Sequence, residues 1–166
     1  MCIRDRVKSL AGFITAGVNS SVSLTADTTL TVDAHAGKIL LCNDADGKFT
    51  LPSIVTTTPS DPTDPNQSNN IGASFYFYIE TLATDLDIKT DGTDKFKGAV
   101  IIGVDDGSKK AFVPAATNDV ITLNGTTKGG IVGSVIQVTA IDAATYLVHN
   151  SLLIGSGTIV TPFADA

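Results

Sequence analysis

Apolar and polar positions alternate along this chain in short runs, and Gly, Asp, Asn and Pro separate the runs. A period of two puts successive side chains on opposite faces of an extended backbone, so the pattern predicts strands rather than helices. The runs are Val22–Leu24, Thr28–Val32, Lys38–Asn43, Lys48–Leu51, Ala73–Thr81, Leu86–Lys89, Gly98–Val104, Lys109–Val113, Asp119–Leu123, Ile131–Ile141, Thr145–Asn150 and Leu152–Val160. Roughly nine to eleven strands result once some runs merge. The clearest is Ser74-Phe75-Tyr76-Phe77-Tyr78-Ile79-Glu80, with Phe75, Phe77 and Ile79 on one face and Tyr76, Tyr78 and Glu80 on the other. The Phe face belongs in a core. The Tyr face is amphipathic and suits solvent, a second sheet or a neighbouring subunit.

Asp46-Gly47, Asp91-Gly92, Asp106-Gly107 and Asn124-Gly125 stand between runs at hairpin-like spacing. These residue types tolerate positive φ, as tight hairpin turns require. Parallel neighbours need longer crossovers, usually helical, and no convincing helical period lies between the runs. The expected fold is therefore all-β, an antiparallel sandwich or barrel of jelly-roll type, in a single domain. Pro52 to Asn70 interrupts the pattern with Pro52, Pro59, Pro62 and Pro65 among Thr, Ser, Asp, Asn and Gln. Proline cannot donate to a ladder, so 52–70 reads as a loop inserted into a β domain spanning 22–166, either solvent-facing or an arm to a neighbour.

Composition agrees with strands and turns: 43% of residues are hydrophobic, 17% are charged and Trp is absent. A formal charge of −6 argues against direct nucleic-acid binding, which needs clustered Lys and Arg. No apolar run approaches the roughly 18 residues of a membrane helix. The opening Met1-Cys2-Ile3-Arg4-Asp5-Arg6 resembles the translation of a transposon-end sequencing adaptor, which would set 1–6 apart and leave 7–21 as an N-terminal arm; the alternative is a genuine basic arm. Removing those six residues takes the formal charge to −7, because two Arg and one Asp leave. It also leaves Cys42 without a partner for an internal disulfide, and puts the native N-terminus upstream of the sequence in hand.

Candidate chemistry is sparse. His35 and His149 lie in no catalytic motif, no G-x-S-x-G elbow exists, and Cys42, His35 and His149 lack zinc-site spacing. They read as turn and strand-end residues. Asp44-Ala45-Asp46-Gly47 resembles part of a calcium loop, but the alignment puts Cys42 first and Ser53 twelfth, where a ligand and a Glu are needed. Asp85, Asp87, Asp91 and Asp94 form an acidic cluster that reads as solvated turn charge, with a divalent cation as the alternative. Gly155-Ser156-Gly157 lacks the third glycine of a dinucleotide site and reads as a bulge. The expectation is a non-enzymatic protein with no catalytic, cofactor or metal residues.

The order of segments resembles small virion proteins of tailed phages, of the capsid decoration (cement) or head-fibre kind. The resemblance runs through Leu24-Thr25-Ala26-Asp27, Leu30-Thr31-Val32-Asp33, Gly37-Lys38-Ile39-Leu40-Leu41 and Phe49-Thr50-Leu51-Pro52. It continues through Gly72–Ile79, Thr90-Asp91-Gly92-Thr93-Asp94, Lys97–Ile102 and Gly133-Ser134-Val135-Ile136-Gln137-Val138. Ile141–Val148 stands where that family carries a hairpin with a Gly and a Trp, both absent here. The resemblance implies a passive β module on the capsid exterior, a homo-trimer in contact with the major capsid protein, without nucleic acid or membrane. Leu152–Val160 would be either its docking edge strand or a core strand. The competing reading is a tail-fibre or adhesin module that binds receptor or glycan through 52–70 and 90–97; a β-scaffold enzyme is a third.

Overall fold

The computed structural model describes residues 21–56 and 69–166, so the expected set-apart segment 1–6, the arm up to residue 20 and most of the inserted loop lie outside the described residues. In chain order the elements are β1 (Ser21–Leu24), β2 (Thr28–Thr29), a one-turn helix α1 (Val32–His35), β3 (Ile39–Cys42), β4 (Lys48–Thr50), β5 (Ser74–Ile79) and β6 (Leu86–Lys89). They continue with β7 (Lys95–Gly98), β8 (Val100–Gly103), β9 (Lys109–Phe112), β10 (Val120–Leu123), β11 (Val135–Asp142), β12 (Thr145–Ile154) and β13 (Phe163–Ala164). No described helix is long and apolar enough to cross a membrane.

Two sheets pack face to face. The larger has the order β1-β3-β5-β11-β12-β8-β9, with β7 also paired to β12; the smaller has the order β13-β10-β6-β4-β2. The expected all-β sandwich is present and is not a closed barrel. The expected antiparallel pairing is not general: β1 with β3, β3 with β5, β2 with β4, β4 with β6, and β12 with both β7 and β8 are parallel. The reason lies in the connections. From β1 to β6 the chain alternates between sheets, so each strand lands beside the one two before it and runs the same way. A parallel pair then needs no helical crossover, because the strand in the opposite sheet serves as the crossover.

Register shows where the insertion sits in this winding. Ser21 faces Ile39, 18 residues later, while Ile39 faces Tyr76, 37 residues later. The difference of 19 is the length of Pro52–Asn70, so the Pro-rich segment is an outgrowth of one turn. Only Asp106-Gly107, of the four turn pairs, closes a hairpin, between β8 and β9. The other three carry the chain from one sheet to the other.

Leu152–Ile154 belongs to one long β12 flanked by β11 and β8, so this run is a core strand and not an edge. The long strand also merges two expected runs, through a bulge at which Asn150 takes φ 47°. Lys95–Gly98 and Phe163–Ala164 are strands that the alternation did not single out, being short and flanked by polar turns. Thr28–Val32 divides into β2 and the start of α1, whose Ala34 amide donates to the Thr31 hydroxyl at 3.3 Å. The core is aliphatic with Phe49, Phe75, Phe77, Phe96 and Tyr146 fully buried, and Phe49 stacks on Phe77 across the two sheets at 6.4 Å between ring centroids.

Candidate functional site

The acidic cluster resolves into structural pairs. Lys48 Nζ donates to Asp87 Oδ2 at 3.0 Å and lies 3.7 Å from Asp85, and the Thr122 hydroxyl donates to Asp87 at 2.8 Å. Asp91 accepts from the Thr93 amide at 2.9 Å and the Thr93 hydroxyl at 2.7 Å. Partial desolvation works to raise the Asp91 pKa, but bonds from Ser53, Thr93 and Asp94 outweigh it and hold the carboxyl down at about 2. Asp94 is buried and accepts from the Ile54 amide at 3.0 Å. Its pKa is raised by desolvation, against the pull of that amide, and further by the charges of Asp91 and Asp142.

These groups share a task at the root of the inserted loop. The Tyr146 hydroxyl donates to the Pro52 carbonyl at 2.6 Å. Asn70 accepts from the Val55 amide at 2.7 Å and donates to the Ser53 carbonyl at 2.8 Å. Burial, followed by the charges of Asp94 and Asp91, pushes the Tyr146 phenol up, so it stays a donor. The loop thus leaves the sandwich from a fixed base. Asn70 and Tyr146 were not flagged by the sequence, because nothing in the pattern says that a polar side chain will clamp a backbone 15 or 94 positions away.

The histidines and the cysteine do not meet. His35 Nδ1 is 2.9 Å from the Thr31 amide at the base of α1, and His149 Nε2 is 2.8 Å from the Thr139 hydroxyl on the outer face of the larger sheet. Cys42 is buried, and desolvation pushes its thiol up, away from the reactive thiolate. Asp44 and Asp46 sit in the turn between β3 and β4. Among the described residues no three His, Cys, Asp or Glu side chains converge as metal ligands. A hollow of about 450 Å³ borders Leu30–Asp33 and the ends of the inserted loop, and another of about 390 Å³ lies between Ser108–Lys110 and Gly157–Ile159.

The outward faces of the two sheets differ. On the smaller sheet, one row across the strands reads Lys48, Asp87, Thr122, ion-paired and hydrogen-bonded. On the larger sheet, one row reads Ser23, Leu41, Tyr78, Val135, Leu152, Ile101, Ala111 across β1, β3, β5, β11, β12, β8 and β9. This row carries no charge. Leu152 is 54% exposed and Ile101 45%, while Leu41, Tyr78 and Val135 are half-buried among their neighbours. The next row reads Ser21, Ile39, Tyr76, Gln137, with Ile39 43% exposed.

A polar network borders the apolar row. Gln137 donates to the Ser74 hydroxyl at 2.8 Å, Asn150 donates to Gln137 at 2.9 Å, and Ser74 and Thr139 hydroxyls are 2.9 Å apart. An apolar strip with a hydrogen-bonded rim is the layout of a protein–protein contact surface. The Tyr face of β5 thus contributes to this outer surface, and its Phe face fills the core as expected. No protein-family model, no curated protein and no solved structure matches this chain.

Proposed function

We propose that this protein is a virion structural component that works through protein–protein contact: a decoration protein on the exterior of a phage capsid, with the major capsid protein as a partner. The observation that supports contact as its mode of action is the uncharged row Leu41–Tyr78–Val135–Leu152–Ile101 on the larger sheet. Large exposed apolar surfaces are rare on monomers and mark interaction sites. Of the acidic cluster, Asp91 is engaged in a turn, Asp94 in the base of the inserted loop, and Asp87 in the ion-paired row of the smaller sheet. The capsid as the setting comes from the segment-order resemblance, and a formal charge of −6 suits a protein that faces solvent rather than packaged DNA.

The test is co-sedimentation of the purified protein with shells assembled from a tailed-phage major capsid protein. Saturable binding to shells is expected. Binding to a glycan array without binding to shells would replace this reading with the adhesin one.

A further inference from the structure

We infer that the partner seated on the apolar row of the larger sheet is a second copy of this chain, packed face to face about a two-fold axis that runs along β11. The inference rests on reading this face as the contact surface, and it names what covers it. Three observations favour a copy. The first is shape: taking Val135 as the centre, a two-fold reverses the row and sets Tyr78 over the partner copy's Leu152 and Leu41 over its Ile101. The more exposed pair of the row, Leu152 and Ile101 at 54% and 45% exposure, meets the half-buried pair Tyr78 and Leu41.

The second is charge. Two molecules of formal charge −6 repel at long range, and they approach most cheaply along a row that adds no negative charge of its own, the exposed charges beside it on the same face being Lys97 of β7 and Lys109 of β9. The smaller sheet offers Lys48 and Asp87 instead, which would lose water on burial. The third is area. Seven strand positions at ~4.8 Å spacing, with strands about 20 Å long, give a face of roughly 600 Å². Two such faces bury about 1,200 Å², at the threshold for a specific, stable interface. Aligned packing of two such sheets is the ordinary geometry of a β-sandwich. A flat face that meets its own copy closes at two subunits, so this contact makes a pair rather than the trimer that the resemblance implies.

The test is sedimentation equilibrium of the full chain, from about 1 to 100 µM, for the wild type and three exposed-site variants, with folding checked by circular dichroism. The wild type is expected to show a monomer–dimer equilibrium. Leu152→Asp and Ile101→Asp should each raise its dissociation constant by at least about tenfold. Val113→Asp, at a position that is 71% exposed and off the row, should leave it unchanged. A wild type that stays monomeric throughout overturns the inference, whether another part of the chain or the capsid covers the row. A dimer indifferent to both Asp variants overturns it too. Shell binding is measured separately: a dimer that ignores shells removes the decoration reading and leaves this one, and a monomer that binds shells does the reverse.

Discussion

The two halves of the sandwich use the same alphabet of Thr, Val, Ile and Asp-Gly turns to build opposite connections. From β1 to β6 the chain winds between sheets and its same-sheet neighbours are parallel. From β8 to β12 it includes two direct hairpins, β8 with β9 and β11 with β12. Asp106-Gly107 and Asp46-Gly47 show where the difference arises. At the first, the chain bonds to itself: the Val104 amide donates to the Ser108 carbonyl at 2.9 Å and the Ser108 amide to Asp106 at 2.7 Å. At the second, neighbouring turns hold the chain: the Lys48 amide donates to Asp27 at 2.8 Å and the Thr84 amide to the Ala45 carbonyl at 2.7 Å. A turn dipeptide fixes a reversal of direction, and more distant partners decide which sheet receives the next strand.

The largest effect is expected where the halves join. β5 is parallel to β3 on one side and antiparallel to β11 on the other, and its Phe77 is fully buried against Phe49 of the opposite sheet. Phe77→Ala should cost about 3–5 kcal/mol in urea unfolding through lost burial and the cavity left behind. One cooperative transition should persist in fluorescence and circular dichroism alike. Two separate transitions would show that the halves fold as independent units.

Next is Gly98, at φ +98° where β7 gives way to β8 beside β12. A Cβ there would lie 2.0 Å from the Val148 carbonyl oxygen, so Gly98→Ala must displace backbone and should cost at least ~2 kcal/mol. Gly107, at φ +85° in the hairpin, has nothing within 4 Å of the same position. Gly107→Ala should cost about 1 kcal/mol, from backbone strain alone. Equal losses in thermal unfolding would mean that the close approach of β7 and β8 to β12 is not held in solution.

How much of this was legible in the sequence follows from the range of each interaction. The alternation in Ser74–Glu80 placed Phe75, Phe77 and Ile79 inside, because a face is a local property. Leu86–Lys89 was read with its boundaries for the same reason. Parallel winding was not legible, since the residues that reveal it, Ser21 opposite Ile39 and Lys48 opposite Asp87, are linked only in space. The apolar row was hidden likewise. Leu41, Tyr78, Val135, Leu152 and Ile101 lie on five strands, and each in its own run reads as an ordinary outward position.

Asn70 tests whether the outgrowth in the wound half is anchored independently of the winding. Asn70→Ala removes the acceptor for the Val55 amide and the donor to the Ser53 carbonyl. A loss of about 0.5–1.5 kcal/mol is expected from the two lost hydrogen bonds, whose backbone partners at Ser53 and Val55 are exposed and half-buried. Hydrogen exchange should localise it, with the Val55 amide exchanging faster while the amides of β11 and β12 keep their protection. Uniform acceleration would make Asn70 a core residue rather than a clamp.

The smallest effect is a pH dependence at the same base. Asp91 has a folded-state pKa of about 2, below its ordinary value of 3.8, so its ionised form is the one the fold favours. The stabilisation is therefore present above about pH 4 and is lost as pH falls toward 2. Because Asp91 is exposed, screening should hold its contribution below ~1 kcal/mol. Asp94 works in the opposite sense: its raised pKa favours the protonated form, so acidification relieves its burial. Asp91→Asn should accordingly flatten the acid limb of the stability profile, whereas Asp94→Asn should lower stability more at pH 4 than at pH 7, because the burial penalty it removes is present only where Asp94 is ionised. If Asp91→Asn leaves the slope between pH 4 and 2 unchanged, the bonds from Thr93 and Ser53 do not hold in solution, and the wound half is anchored through Asn70 and Tyr146 alone.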